Sequence, residues 1–199
     1  MQHYFSLHQQ LLQSVSVRPN YGVVVAFTSP TPRAGVTYVV KSLATELARH
    51  SEKRILVANL SRLQQFGAAQ SLQQQRGDLR NLWTLEGELE ENTSQAMVPR
   101  ESHIAIWQRN AELRQASLEA LQMSFDYVLL DCPSLKMSTA AALLAPLVDG
   151  IALVVEAGRT RRDEIQSAQR TLELMKAPFF GFILNKRKYP VPEWLYRRL

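Results

Sequence analysis

The chain has 199 residues, with 23 Lys and Arg against 18 Asp and Glu, a net charge of +5. At 46% hydrophobic and 21% charged, its composition excludes disorder, which pairs low hydrophobicity with high net charge. One cysteine, Cys132, excludes an internal disulfide framework, and no apolar run approaches the roughly 20 residues of a membrane-spanning helix.

In chain order, Tyr4, Leu7, Leu11 and Val15 recur at helical spacing, which predicts an N-terminal helix and linker over residues 1–20. The opening MQHYFSLHQQ has no basic region followed by an apolar stretch, so no signal peptide is expected. GVVVAFTSP is a β-branched run too short for a helix, and predicts a strand buried on both faces, as in a parallel sheet. Beyond the loop Ser29–Gly35, the residues Val36, Val40, Leu43 and Leu47 line one face of a helix ending near His50. RILVANL (Arg54–Leu60) is a second buried strand. The Gln-rich residues 64–76 predict a surface loop or exposed helix, and EGELEE at 86–91 a solvated acidic patch. IAIW at 104–107 predicts a short strand, 111–123 a helix, and FDYVLLDCPS a strand ending in Asp131. A helix over Thr139–Leu147, the strand DGIALVVEAG, a helix over 162–176 and the strand FFGFILNK complete the series. Strands alternating with helices predict an α/β fold, a three-layer α/β/α sandwich with a mostly parallel sheet of about six to eight strands. The expectation is one domain over 1–199 in a reducing, cytoplasmic setting. The charge is concentrated at its end: residues 185–199 hold five bases and one acid, so the other 184 residues carry only +1. Residues 186–199 are read as a basic tail, not as part of a uniformly basic surface.

In such a sheet, ligands bind beyond the carboxyl ends of the strands. The loop SPTPRAGVT lies after the first strand and opens into a helix. A phosphate-binding loop there needs converging backbone N–H groups, a lysine for the phosphates and a hydroxyl for magnesium. Gly35 and Thr37 stand where the glycine and hydroxyl belong, but the lysine position is Val36.

The segments KRILVANLSR, FDYVLLDCP, VVEAGRTRRDE and FILNK, in this order and spacing, resemble the bacterial tyrosine kinases of capsule and exopolysaccharide systems. Those kinases are relatives of the MinD/ParA-class P-loop ATPases, and the resemblance runs over about residues 4–188. It implies a P-loop NTPase-like fold, with ATP or ADP contacts on Arg33, Ala34, Gly35, Val36 and Thr37 and an adenine contact on Asn185. It places magnesium on Thr37 and Asp131, and makes Asp131 the one catalytic candidate. It also exposes departures. Val36 replaces the essential lysine, Thr31 replaces the extra early lysine of MinD-like relatives, and Asn59 and Ser61 replace the two aspartates of the second acidic motif. The charges of the family's N-terminal oligomerisation helix are absent from Tyr4, Leu7 and Gln10, and the tyrosine-rich tail is reduced to Tyr189 and Tyr196. Val36 supplies no charge, and its side chain is expected to point toward polyphosphate. Asn59 and Ser61 cannot serve as anionic partners of a metal.

The resemblance, with these losses, implies a catalytically degraded protein with a regulatory or scaffolding role in exopolysaccharide synthesis or export. Its implied partners are a membrane-bound polysaccharide co-polymerase, an active kinase paralogue, or further copies of itself. Nucleotide and magnesium would be held weakly if at all. One alternative is an active ATPase or tyrosine autokinase that uses Arg33 and Asp131. Another is a MinD/ParA-like positioning protein that reaches a membrane's inner face or DNA through its tail. The tail has no recognised base-reading motif, which argues against nucleic acid.

Each residue also has a plainer reading. Arg33 is a solvated loop residue, Thr37 an ordinary first-turn residue, and Asp131 and Asn185 groups that bond nearby backbone. Cys132 is a small buried residue, and His3, His8, His50 and His103 have no metal-site spacing. The resemblance places Arg159, Arg161 and Arg162 at a subunit or partner surface; their plainer reading is an exposed first helical turn, where Asp163 and Glu164 favour the helix dipole. Trp194 and its neighbours suit an anionic membrane or the domain's own surface.

Overall fold

A computed structural model describes residues 21–51, 53–60, 83–89, 94–99 and 110–187, with backbone only for 83–89 and 94–99. The elements in chain order are β1 (Val23–Thr28), α1 (Val36–His50), β2 (Ile55–Asn59), β3 (Trp83–Leu89), β4 (Ser94–Pro99), α2 (Ala111–Ser124), β5 (Tyr127–Asp131), α3 (Ala140–Leu144), β6 (Gly150–Glu156), α4 (Arg162–Leu174) and β7 (Phe179–Asn185). They form a seven-stranded sheet in the order β3-β4-β2-β5-β1-β6-β7. Among the described residues, the β3–β4 pair is antiparallel and the other strand pairs run parallel. This is the α/β architecture the alternation of strands and helices predicts.

The buried strands are apolar on both faces because both faces are covered. Alternate residues of β1 serve different layers. Val23, Val25 and Phe27 pack with Val39, Val40, Leu43 and Leu47 of α1. Val24 and Ala26 join Leu118 and Leu121 of α2, Leu144 of α3 and Leu172 of α4 on the opposite side. β1 lies between β5 and β6 at the middle of the sheet. The loop leaving β1 therefore emerges beside the carboxyl end of β5, where a doubly wound sheet places its ligands.

Two expectations are corrected. The stretch 86–91 is not merely a solvated patch: Glu86–Leu89 belongs to β3, and β4 beyond it is a strand the pattern did not show. An antiparallel edge strand needs ladder hydrogen bonds but not two apolar faces, so its glutamates hid it. The helix expected over Thr139–Leu147 is a short α-helix to Leu144 followed by a 3-10 turn, Ala145–Leu147. Pro146 in that turn has no N–H for an α-helical bond. The last helix ends at Leu174, with Lys176 in a left-handed conformation at φ 53° just beyond it. The elements expected at 4–15, 64–76 and 104–107, and nearly all of the basic tail, lie outside the described residues. Among the described residues, no helix is long and apolar enough to cross a membrane.

Candidate functional site

The loop after β1 is stitched to the chain beyond β5. The Thr28 hydroxyl donates to the Pro133 carbonyl at 2.6 Å, and the Leu135 N–H donates to the Ser29 carbonyl at 2.9 Å. Inside the loop, the Ser29 hydroxyl donates to the Thr31 carbonyl at 2.8 Å. The chain then reverses through two left-handed residues, Arg33 at φ 68° and Gly35 at φ 90°. Glycine takes that conformation at little steric cost, whereas a residue with a Cβ is strained by about 1–2 kcal/mol. Gly35 has a second reason to be glycine: a Cβ there would sit 2.3 Å from Asn185 Nδ2.

The far side of the loop is held by the end of β7. Asn185 Nδ2 donates to the Ala34 carbonyl at 2.9 Å. The next residue, Lys186, donates from Nζ to the Arg33 carbonyl and pairs with Glu156 Oε2 at 3.3 Å. Asn185 is thus engaged with loop backbone, one of its two sequence readings. Arg33 is exposed while Ala34 is buried.

Val36 does not point toward a polyphosphate site. It opens α1 and packs with Val39, Val40 and Leu43 in the core. Positions 36, 39, 40 and 43 share one helical face, and burying a branched apolar side chain there outweighs exposing it at the loop.

Thr37, one residue on, faces the neighbouring strand. Its hydroxyl donates to Asp131 Oδ2 at 2.7 Å. Asp131 is only 2% exposed. Burial pushes its carboxyl up to about 6, against the hydrogen bond from Thr37 and the charge of Lys41, which favour the ionised form. Asn59, at the end of β2, is the register partner of Asp131; Ser61 lies outside the described residues. Cys132 is buried, and burial together with Asp131 raises its thiol well above the usual range, so it is inert as a nucleophile. Among the described residues, no three His, Cys, Asp or Glu cluster as metal ligands.

No family model matches the chain. A segment of 69 residues is 38% identical to the tyrosine-protein kinase CpsD of Streptococcus agalactiae, covering 35% of this chain and 30% of that kinase. The succinoglycan biosynthesis transport protein ExoP of Rhizobium meliloti is also 38% identical over 69 residues, which is 9% of its length. Among solved structures, the kinase domain of the Escherichia coli tyrosine kinase ETK superposes with a TM-score of 0.70 at 19% identity, covering 96% of this chain and 78% of that one. MinD of Pyrococcus horikoshii, solved with Mg-ADP, superposes with a TM-score of 0.59 at 13% identity, over 89% of this chain and 76% of that one. The chain resembles the bacterial tyrosine kinases and has the P-loop ATPase fold.

In this tyrosine-kinase-like chain, the sequence-read residues Arg33, Ala34, Gly35, Thr37, Asp131 and Asn185 do meet at one end of the sheet. Val36 is beside them in sequence but turned into the core. Three further charged groups belong to the neighbourhood. Lys41 lies four residues after Thr37 on α1, a spacing that puts both on one helical face and was readable. Lys186 adjoins Asn185 and was within reach of the same argument. Glu156 gave no signal, since only the pairing of β6 with β7 brings it to Lys186.

Thr37 and Asp131 offer a hydroxyl and a carboxylate oxygen. Such a set fits magnesium, which takes one or two carboxylates and completes its shell with water and phosphate oxygens. The bond between them engages the Thr37 proton and Asp131 Oδ2, and leaves the lone pairs of the hydroxyl oxygen for a metal.

Proposed function

We propose that this chain is a P-loop protein of exopolysaccharide synthesis or export that has given up phosphoryl transfer and acts as a regulator or scaffold. The sequence similarity to CpsD and to ExoP supports the setting. The observation that carries the loss of chemistry is Val36, apolar and packed in the core at the position where the resemblance places a lysine. Phosphoryl transfer works by positioning and by neutralising charge on the transferred group. One missing electrostatic contact of that kind costs about 3 kcal/mol, or ~100-fold in rate. Asn59, the register partner of Asp131, withholds a second charge.

Residues 1–199 act as one domain in this reading. Its partner is a membrane-bound polysaccharide co-polymerase or an active kinase paralogue, with self-association and a peripheral membrane contact through the tail as further parts of the proposal. ATP or ADP would be held along Arg33–Thr37 and by Asn185, and Thr37 and Asp131 would hold a magnesium ion that neutralises phosphate charge. The test is ATP hydrolysis and tyrosine autophosphorylation by the full chain, with and without magnesium. Neither is expected. Turnover near the ~1 s⁻¹ of a working kinase would overturn the reading. If that turnover were lost in Arg33→Ala and Asp131→Asn, an active enzyme with an unusual site would take its place.

A further inference from the structure

The loop carries no lysine of its own at position 36, yet a lysine touches it from outside. Lys186 Nζ bonds the Arg33 carbonyl, and Asn185 Nδ2 bonds the next carbonyl, that of Ala34. Glu156 holds the Lys186 ammonium from β6 at 3.3 Å. The Asn185 carbonyl in turn accepts from the Ala157 N–H at 2.9 Å, which fixes the end of β7 to the turn after β6. Two successive peptide units of the loop are therefore gripped by one rigid corner of the sheet.

The direction of that grip has a consequence. In a trans peptide the carbonyl and the following N–H point opposite ways, and the described residues contain no cis bond. Anchoring the carbonyls of Arg33 and Ala34 on β7 turns the N–H groups of Ala34 and Gly35 away from β7. Neither left-handed residue, least of all the strained Arg33, would hold that orientation unaided.

We propose that Lys186 is a positioning residue of the phosphate loop: with Asn185 and Glu156 it holds the amides of Ala34 and Gly35 toward a phosphate-bearing ligand, so that the loop keeps its anion-binding shape without a lysine at position 36. The proposal rests on reading residues 29–37 as a phosphate loop.

The test compares the full chain with Lys186→Met and Lys186→Arg. Each is titrated with pyrophosphate and with ADP, and hydrogen exchange at Ala34 and Gly35 is followed residue by residue by NMR. Lys186→Met should weaken both ligands about tenfold, the size of one lost charge-assisted bond. It should speed exchange at Ala34 and Gly35 while amides of β1 and β6 keep their rates, and Lys186→Arg should restore both properties. Unchanged affinity together with unchanged exchange in Lys186→Met would overturn the proposal. A Val36→Lys background separates positioning from charge. There, Lys186→Met should still weaken binding about tenfold, and if it becomes harmless, Lys186 was only a charge and the proposal fails. If the unaltered chain binds neither ligand, the phosphate-loop reading itself falls, and the exchange rates alone decide whether Lys186 holds the loop.

Discussion

Burial of the Asp131 carboxyl outweighs the help it receives from Thr37 and Lys41, and this sets the sign of a pH effect. In the unfolded chain an aspartate titrates near 3.9; in the fold Asp131 sits at about 6. Between those values the native state binds more protons than the unfolded state, so this residue's contribution to stability falls as pH rises from about 4 to about 6. Two units of difference correspond to roughly 3 kcal/mol. Asp131→Asn keeps an acceptor for the Thr37 hydroxyl and removes the charge. Urea unfolding should therefore find the variant close to the parent at pH 4 and more stable by up to ~3 kcal/mol at pH 7; a variant less stable at pH 7 would refute the account. Gly35 carries a second expectation. In Gly35→Ala a Cβ meets Asn185 Nδ2 at 2.3 Å in a left-handed residue, and thermal unfolding should show a loss of about 1–3 kcal/mol. Most of these site residues were legible because the loop lies within nine consecutive positions and Asp131 ends a plainly apolar strand. The orientation of Val36 was not legible. Its helical periodicity with Val40 and Leu43 and its place in the loop pulled in different directions, and packing won.

The strands that form the middle of the sheet announced themselves because each is apolar on both faces. β3 and β4 did not, since an edge pair is specified by backbone ladders rather than by side-chain burial. Strand order was hidden for a related reason: nothing local in β4 says that it lies between β3 and β2. At this scale one tight contact falls where β6 begins. A Cβ on Gly150 would lie 2.0 Å from the Phe180 ring of the neighbouring strand. Gly150→Ala should lower the urea midpoint by the equivalent of about 1–3 kcal/mol, the ordinary cost of overpacking. Phe180→Leu in the same chain should recover part of the loss. The cycle of both single variants and the double should show coupling of at least ~0.5 kcal/mol; strict additivity would mean that the ring simply swings aside.

The whole molecule carries its charge unevenly, and that unevenness can be separated from the fold. Of a net +5, the last fifteen residues supply +4. Deleting residues 188–199 removes Lys188, Arg197 and Arg198 with Glu193, together with Trp194 and Tyr196, and leaves Lys186 and its loop contact in place. A basic residue near an anionic bilayer contributes about 1 kcal/mol, screened by salt over about a Debye length. The full chain should therefore sediment with phosphatidylserine-containing vesicles at low ionic strength and release them as salt rises. The deletion should weaken that binding by roughly 10–100-fold while the chain stays folded by circular dichroism, since among the described residues the buried clusters on both faces of the sheet draw on residues 23–183. Neutral vesicles distinguish charge from aromatic insertion: equal binding to them by the full chain would assign the contact to Trp194 and its neighbours. Duplex DNA as competitor covers the remaining reading. Retention on DNA that disappears with the same deletion would move this chain from the kinase-like setting toward the MinD/ParA-like positioning proteins, whereas vesicle binding that survives the deletion would remove the tail from any account of how the protein reaches a membrane.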